Sequence, residues 1–138
     1  MPHVTVHLCE DLLDDDSSRA IIHHLTEAVA GVAGGWARPL VVVELFGVPR
    51  AHWGLGGTPA VEHVANVTLA VRDRAFDDSV IPDAAARFIA AITDGMLAAL
   101  GEGIRKNLNV LTLGVPSGRS GVGGEVATWD STTPSPVP

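Results

Sequence analysis

The sequence predicts an α+β protein in which a four-stranded mixed sheet carries two helices on one face. The chain repeats itself, because the glycine-rich segment 47–57 returns 67 residues later as 114–124. Each copy follows the same succession of an apolar run, a stretch with helical spacing and a second apolar run. A strand–helix–strand unit of this length forms a right-handed parallel crossover, so two units give one sheet with both helices on the same side.

The first half is predicted to form a strand at 3–9, a helix at 17–33 and a strand at 40–46. Ser17 or Ser18 is expected to cap the helix, and Gly34-Gly35 to end it. The apolar stripe of this helix consists of Ile21, Leu25, Val29 and Val32. The second strand is almost continuously apolar, which favours a buried position in the sheet.

The second half repeats this order, with a strand at 66–72, a helix at 84–100 and a strand at 108–113. The apolar stripe of its helix consists of Phe88, Ile92, Met96 and Leu100. We expect a single domain over 1–129, with repeats at about 2–60 and 65–127, and a flexible tail rich in Pro, Ser and Thr at 130–138. Since both helices lie on one face, the other face is left apolar and uncovered, which predicts an oligomer packed sheet against sheet.

Composition excludes several classes of function. The formal net charge of -7 argues against a general nucleic-acid binder, which needs a basic face. Cys9 is the single cysteine, so we expect no intrachain disulfide and no multi-cysteine metal site. The chain shows neither a signal-peptide pattern nor an apolar run of about 18 residues, so a cytoplasmic protein without a membrane span is expected. No histidine pair has the spacing of a zinc protease, and we expect no metal and no cofactor.

The start of the chain suggests a catalytic group. Met1-Pro2 leads directly into the first predicted strand, so removal of Met1 would leave Pro2 as a secondary amine at the start of that strand. An ordinary α-amino group titrates near pH ~8, and desolvation or nearby cations lower the pKa further. Such an amine is suited to act as a general base near neutral pH.

The chain resembles the tautomerase superfamily. The matching features are Pro2, His7-Leu8, the strand Val41-Val42-Val43 and the turn His52-Trp53-Gly54-Leu55-Gly56-Gly57. The first half resembles 4-oxalocrotonate tautomerase, and the doubled chain resembles fused two-repeat members such as malonate semialdehyde decarboxylase and cis-3-chloroacrylic acid dehalogenase. The resemblance implies the tautomerase fold, a homotrimer, Pro2 at the base of the active site, arginines that hold a substrate carboxylate, and Trp53 as the aromatic wall of the pocket.

The sequence departs from the short tautomerase at both of that enzyme's arginine positions. The segment after the first strand reads Asp11-Leu12-Leu13, and Val42 stands where the second strand carries arginine in that enzyme. Ala65 is the repeat equivalent of Pro2, so only the first half can supply the amine, which implies one site per protomer.

Two arginines in the second half are the candidates to hold a substrate. Arg72 and Arg74 are two residues apart, so on a continuing strand their side chains would project to one side. They resemble the paired arginines of the decarboxylase and the dehalogenase. Two guanidinium groups there would grip a carboxylate and would disfavour protonation of the Pro2 amine. The alternative is a solvated turn whose aspartates neutralise the arginines.

Two further residues are candidates for contacts with substrate. Glu44 interrupts the apolar second strand, and such a carboxylate either pairs with a cation or carries a raised pKa. It is a candidate second acid or base, or a group that activates water; the alternative is a salt bridge across a subunit interface. Asn109, the repeat equivalent of Val42, is a candidate to hydrogen-bond a substrate oxygen, or else a plain strand-edge amide.

Three functions remain open from the sequence. The leading one is a cofactor-free tautomerase in which Pro2 moves a proton in a small enol, keto or dienol carboxylic acid while Arg72 and Arg74 hold the carboxylate. The alternative is a decarboxylase, hydratase or dehalogenase of a small three-carbon acid, with Pro2 protonated as the general acid. The third is a non-catalytic trimeric binding protein.

Overall fold

The central sheet has four strands in the spatial order Val42–Val48, His3–Cys9, Ala65–Arg72 and Leu108–Val115, within residues 2–129 that a computed structural model describes. The principal elements are β1 (His3–Cys9), α1 (Asp15–Ala33), β2 (Val42–Val48), β5 (Ala65–Arg72), α2 (Ala84–Leu100) and β6 (Leu108–Val115). Two short hairpins complete the fold, β3 (Gly54–Leu55) with β4 (Thr58–Pro59), and β7 (Ser120–Val122) with β8 (Glu125–Ala127). The predicted tail at 130–138 lies outside the described residues.

The sheet is mixed because its two halves run in opposite directions. β1 is parallel to β2 and β5 is parallel to β6, whereas β1 and β5 pair antiparallel at the centre. Each half is therefore a parallel strand–helix–strand crossover, and the two halves meet along β1 and β5. The predicted α+β fold class, with a four-stranded mixed sheet built from tandem β-α-β repeats, is confirmed.

Both helices pack on one face of the sheet, where the core forms. Alternate residues of the central strands point into this core and are almost fully buried, among them Val4, Val6, Leu8, Val67, Leu69 and Val71. The helices contribute Ile21, Leu25, Val29, Phe88, Ile92 and Met96 to the same cluster. Both predicted stripes thus face the core, because a helical spacing of three and four residues places these side chains on one side. Among the described residues, no helix is long and apolar enough to cross a membrane.

Two boundaries differ from the sequence prediction for local reasons. The cap of α1 is Asp14 rather than Ser17 or Ser18: Asp14 accepts a hydrogen bond from the Ser17 backbone N–H at 2.8 Å, and Ser17 accepts one in return. This reciprocal arrangement satisfies two N–H groups at the start of the helix. β2 begins at Val42 rather than residue 40, because 35–40 form a 3₁₀ turn that contains Pro39.

The second face of the sheet, here called the open face, is not covered by any described element. It consists of the outward residues of the four strands: Val42, Glu44 and Phe46; His3, Thr5 and His7; Asn66, Thr68 and Ala70; Asn109, Leu111 and Leu113. Its large apolar members remain exposed, with Leu111 at 56% and Phe46 at 45%. An exposed apolar patch on a sheet is typical of an interface between protein chains.

A glycine allows the two helices to pack closely, and we expect Gly95→Leu to destabilise the fold. A Cβ atom at Gly95 would lie 3.1 Å from the His24 carbonyl oxygen of α1 and 3.3 Å from a methyl carbon of Leu25. Forcing a larger side chain into a packed core costs about 1–3 kcal/mol. Urea denaturation should show this loss, whereas Ala98→Leu at an exposed position of α2 should change stability by no more than about 0.5 kcal/mol. Equal stability of the two variants would contradict the close packing.

Candidate active site

The pairing of the strands creates two ends of the sheet that are related by the internal repeat. At the Pro2 end, β1 and β2 begin while β5 and β6 finish, so this end gathers Pro2, Arg72 and Val115. At the Ala65 end, the directions are reversed: Ala65 pairs with Leu8 and Leu108, and the Cys9 backbone N–H donates to the Val64 carbonyl. The two ends are seven or eight residues apart along the strands, which is about 20 Å at about 3.3 Å per residue.

Pro2 is buried at the edge of the core. Its carbonyl oxygen accepts a hydrogen bond from the Val42 backbone N–H at 2.9 Å, which continues the β1–β2 ladder. The next residue, His3, pairs with Ala70 of β5. Extending this antiparallel ladder by one residue sets Pro2 opposite Val71, the chain neighbour of Arg72. The pairing therefore places Pro2 and Arg72, which are 70 positions apart in the sequence, at the same end of the sheet, with residue 2 on the core face and residue 72 on the open face.

Arg72 and Arg74 both lie at the Pro2 end, but on different elements. β5 ends at Arg72, and Asp73–Phe76 form a 3₁₀ turn. The expectation that both arginines project from a continuing strand is therefore wrong, because the chain turns between them. Hydrogen bonds from Ser79 hold the pKa of the Asp77 carboxyl below its usual range, and the charge of Arg74 adds to this effect.

Trp129 is a residue of this end that the sequence analysis did not identify. The Arg72 guanidinium carbon lies 4.8 Å from the centroid of the Trp129 ring. The indole N–H donates to an Asp73 carboxylate oxygen at 3.1 Å, and the Trp129 backbone N–H donates to the Ser117 hydroxyl at 2.9 Å. Together with residues of the 3₁₀ turn, Trp129 lines a cleft of about 320 Å³. The only sequence signal was a lone tryptophan between the second glycine-rich turn and the tail.

Trp53 and Asn109 lie at the Ala65 end. Trp53 packs against the buried cluster of Cys9, Ala60 and Val64. The Asn109 side-chain amide donates to the Asn66 side-chain oxygen at 3.2 Å. Since the two ends are about 20 Å apart, neither residue reaches Pro2 of the same protomer. Their predicted contacts with a substrate near Pro2 require that another protomer supplies them.

Glu44 has a partner within its own protomer. Its carboxylate hydrogen-bonds the imidazole of His3 on the open face, and both side chains are about half exposed. The sequence left the partner of this carboxylate open, with a salt bridge across a subunit interface as the alternative to a catalytic role, and the structure pairs it with His3 of the same protomer. The pair lies near the Pro2 end of the open face. His3 is the residue after Pro2, and Glu44 lies opposite Thr5 in the β1–β2 register.

The Ala65 end carries an acidic group where the Pro2 end carries a basic one. Asp11 and Arg74 are each the second residue of the 3₁₀ turn that follows a central strand. Arg50 donates two hydrogen bonds to the Asp11 carboxylate, at 3.0 and 3.2 Å, and these hold the pKa of Asp11 below its usual range. His63 Nε2 lies 3.1 Å from the same oxygen. The internal repeat thus yields one end with two arginines and a second end occupied by an ion pair.

Metal chemistry has no obvious ligand set in the part of the chain that the structure describes. Within 2–129, no three His, Cys, Asp or Glu side chains come together in a way that could hold an ion. Cys9 is buried and accepts a hydrogen bond from the Val64 backbone N–H at 3.5 Å. The polar groups that the structure places at the Pro2 end include the guanidinium groups of Arg72 and Arg74, the Asp73 carboxylate and the Trp129 indole.

Comparison with known proteins identifies the fold. No protein-family model matches the chain, and no curated protein matches its sequence. Solved structures do match: a wild-type fused 4-OT named Q0, a symmetric trimer, has a TM-score of 0.74 at 19% identity, over 91% of this chain and 94% of that chain. N1, a member of the cis-3-chloroacrylic acid dehalogenase family, has a TM-score of 0.75 at 19% identity, over 97% of this chain and 85% of that chain.

A third structure is that of Pt0534 inactivated by 2-oxo-3-pentynoate, with a TM-score of 0.75 at 18% identity, over 91% of this chain and 95% of that chain. The match extends over almost the full length in each case, and both repeats are included. The chain therefore has the fold of the fused proteins of the tautomerase superfamily, as the sequence resemblance implied.

Proposed function

We propose that this protein is a cofactor-free tautomerase in which Pro2, exposed as an amine by removal of Met1, transfers a proton within a small enol, keto or dienol carboxylic acid. The observation that carries the proposal is the meeting of Pro2 with the Arg72 end of β5 in a chain that has the tautomerase fold. Neutral Pro2 takes the proton from the enol oxygen, and the protonated amine returns it to carbon. No group other than the substrate and the protein is needed.

The arginines suit both the binding of the substrate carboxylate and the transfer of the proton. A guanidinium group binds a carboxylate through two parallel charge-assisted hydrogen bonds, which fixes the substrate relative to Pro2. Positive charge also stabilises the enolate that develops during proton transfer. A positive charge near the Pro2 amine would disfavour its protonation and so favour the neutral base that this mechanism needs.

We further propose that the active unit is a homotrimer assembled through the open face. The face exposes Phe46, Leu111 and Leu113, and the fused 4-OT structure with this fold is a trimer. In such an assembly, a neighbouring protomer would bring Trp53 and Asn109 from its Ala65 end to the Pro2 end. Trp53 would then line the pocket as an apolar wall, and Asn109 would hydrogen-bond a substrate oxygen.

A second candidate is decarboxylation, hydration or dehalogenation of a small three-carbon acid. The observation that favours it is the Arg72 and Arg74 pair together with the likeness to N1 of the cis-3-chloroacrylic acid dehalogenase family over 97% of this chain. In that reaction Pro2 stays protonated and acts as the general acid, while Glu44 is the candidate to activate water. The pairing of Glu44 with His3 counts against this role, since the carboxylate oxygen that would activate water is already engaged by the imidazole.

The direction of the pH–rate profile separates the two reactions. We expect wild-type protein to accelerate the ultraviolet-monitored ketonisation of phenylenolpyruvate, with kcat/KM rising with pH through the Pro2 pKa, because a general base must be deprotonated. A rate that falls as pH rises through that pKa, observed on 3-haloacrylates or acetylenic acids, would support the general-acid reaction instead. Inactivity on both substrate classes would favour the non-catalytic binding protein. Intact mass measured on the same sample shows whether Met1 has been removed.

A further inference from the structure

We propose that Trp129 is a positioning residue that holds the Arg72 guanidinium against its indole face and leaves the in-plane N–H donors of Arg72 available to the substrate carboxylate. This inference rests on the proposed function, because it assigns to Trp129 a part in the same site. Its basis is the packing of Arg72 over the Trp129 ring, at 4.8 Å from the ring centroid.

Trp129 is itself fixed at two points. Its indole N–H donates to Asp73, the residue that follows Arg72 in the chain, so the ring is tied to the same turn that carries the arginine. Its backbone N–H donates to the Ser117 hydroxyl, in the segment that follows β6. The hairpin of β7 and β8 therefore returns the chain to the Pro2 end and presents the indole in a defined orientation.

An aromatic ring orients an arginine without consuming its hydrogen-bond donors. The five N–H groups of a guanidinium lie in its plane, whereas the attraction to a ring acts through its face. Within the described residues, the buried Nε of Arg72 has no hydrogen-bond partner. Because the buried Nε is shielded from solvent, a substrate carboxylate that approaches in this plane would bind the two Nη groups, and bidentate binding requires just such a fixed fork.

Arg50 at the Ala65 end provides the contrast within the same chain. Its Nε and one Nη donate to the Asp11 carboxylate, and its other Nη donates to the Val61 carbonyl oxygen at 2.6 Å. An arginine held in this way is equally well positioned, but its donors are occupied and its charge is neutralised. Support by an indole instead of a carboxylate is what makes Arg72 suitable as a receptor for an anion.

The test measures binding of phenylpyruvate by isothermal titration calorimetry, so that it does not depend on turnover. We expect Trp129→Leu to weaken binding about tenfold, and Trp129→Phe, which keeps a ring face, to weaken it by about threefold or less. Trp36→Leu is the matched control, because Trp36 is partly exposed and its indole bonds the Ala33 carbonyl at the end of α1. This control should bind as wild type does.

A double-mutant cycle with Arg72→Lys separates positioning from a general structural effect. An ammonium group cannot present a fork, so Arg72→Lys should weaken binding strongly in the wild-type background and much less in the Trp129→Leu background. Additive effects, or wild-type binding by Trp129→Leu, would overturn the inference while leaving the proposed function in place. Strong binding without ketonisation would contradict the proposed tautomerase but not the role of Trp129. Absence of phenylpyruvate binding by wild-type protein would overturn both.

Discussion

Pro2→Ala is expected to lower kcat/KM for enol-acid ketonisation by about 10²- to 10⁴-fold, the range that a positioned general acid–base group contributes. The substitution replaces the secondary amine and its rigid ring with a flexible primary amine. The sheet should be unaffected, because alanine keeps the backbone carbonyl that accepts the hydrogen bond from Val42. Steady-state kinetics on the variant and on wild type, in one buffer series, give the comparison.

The control for this experiment is a proline elsewhere in the chain. Pro82→Ala, at an exposed position just before α2, should retain wild-type turnover. Circular dichroism and thermal melting of both variants exclude unfolding, and intact mass confirms that each chain begins at residue 2. Turnover by Pro2→Ala within a few-fold of wild type would remove the proline from the mechanism and, with it, the proposed function.

Covalent labelling tests the reactivity of the Pro2 amine independently of turnover. We expect 2-oxo-3-pentynoate, the reagent that inactivated Pt0534, to add its full mass to the wild-type chain through conjugate addition of the Pro2 nitrogen to the alkyne. Peptide mapping should locate the label at residue 2. A label at Cys9 would instead indicate thiol chemistry, although the burial of Cys9 argues against it.

The sequence was sufficient for the helices and the central strands because their signals are local. The stripes of α1 and α2 have helical spacing, and the repeat established that both halves share one architecture. The cap of α1 was misassigned because Asp14, Ser17 and Ser18 are all good caps, and only the reciprocal hydrogen bonds distinguish them. The start of β2 was misplaced because an apolar run carries no sign of the 3₁₀ turn at 35–40.

The candidate site was predicted in part, since its members depend on pairing between distant strands. Pro2 and Arg72 share one end of the sheet only because β1 and β5 are antiparallel, which the repeat allows but does not dictate. The position of Trp53 follows from parallel pairing of β1 with β2: a residue just after β2 must lie at the end of the sheet away from Pro2. Trp129 has no equivalent aromatic in the first half, where Glu62 occupies the corresponding place, so the repeat gave no indication of its role.

A charged residue on the open face should abolish assembly and most of the turnover, and Leu111→Asp tests this prediction most directly. Leu111 is 56% exposed in the protomer and lies near the middle of the face, opposite Thr68. In an isolated protomer, an aspartate at this position is exposed to water and changes the free energy of unfolding little. In a trimer closed over this face, it would be a buried unpaired charge, which costs several kcal/mol.

Sedimentation velocity should therefore report a species of one 14.3 kDa protomer for Leu111→Asp and three times that mass for wild type. Ile22→Asp is the control, because Ile22 is 43% exposed on α1, on the opposite side of the sheet from the open face, and this variant should remain trimeric. A monomeric wild-type protein, or a Leu111→Asp trimer, would contradict assembly through this face.

Turnover by the same variant tests the division of the site between protomers. Leu111→Asp leaves Pro2, Arg72 and Trp129 in place within each chain, because all three belong to the Pro2 end. If Trp53 and Asn109 act only from a neighbour, a folded monomer should bind the carboxylate and yet lose most of kcat, since the pocket wall and the second polar contact are absent. A monomer with full turnover would show that the Pro2 end is complete by itself and that Trp53 serves only the packing of its own hairpin.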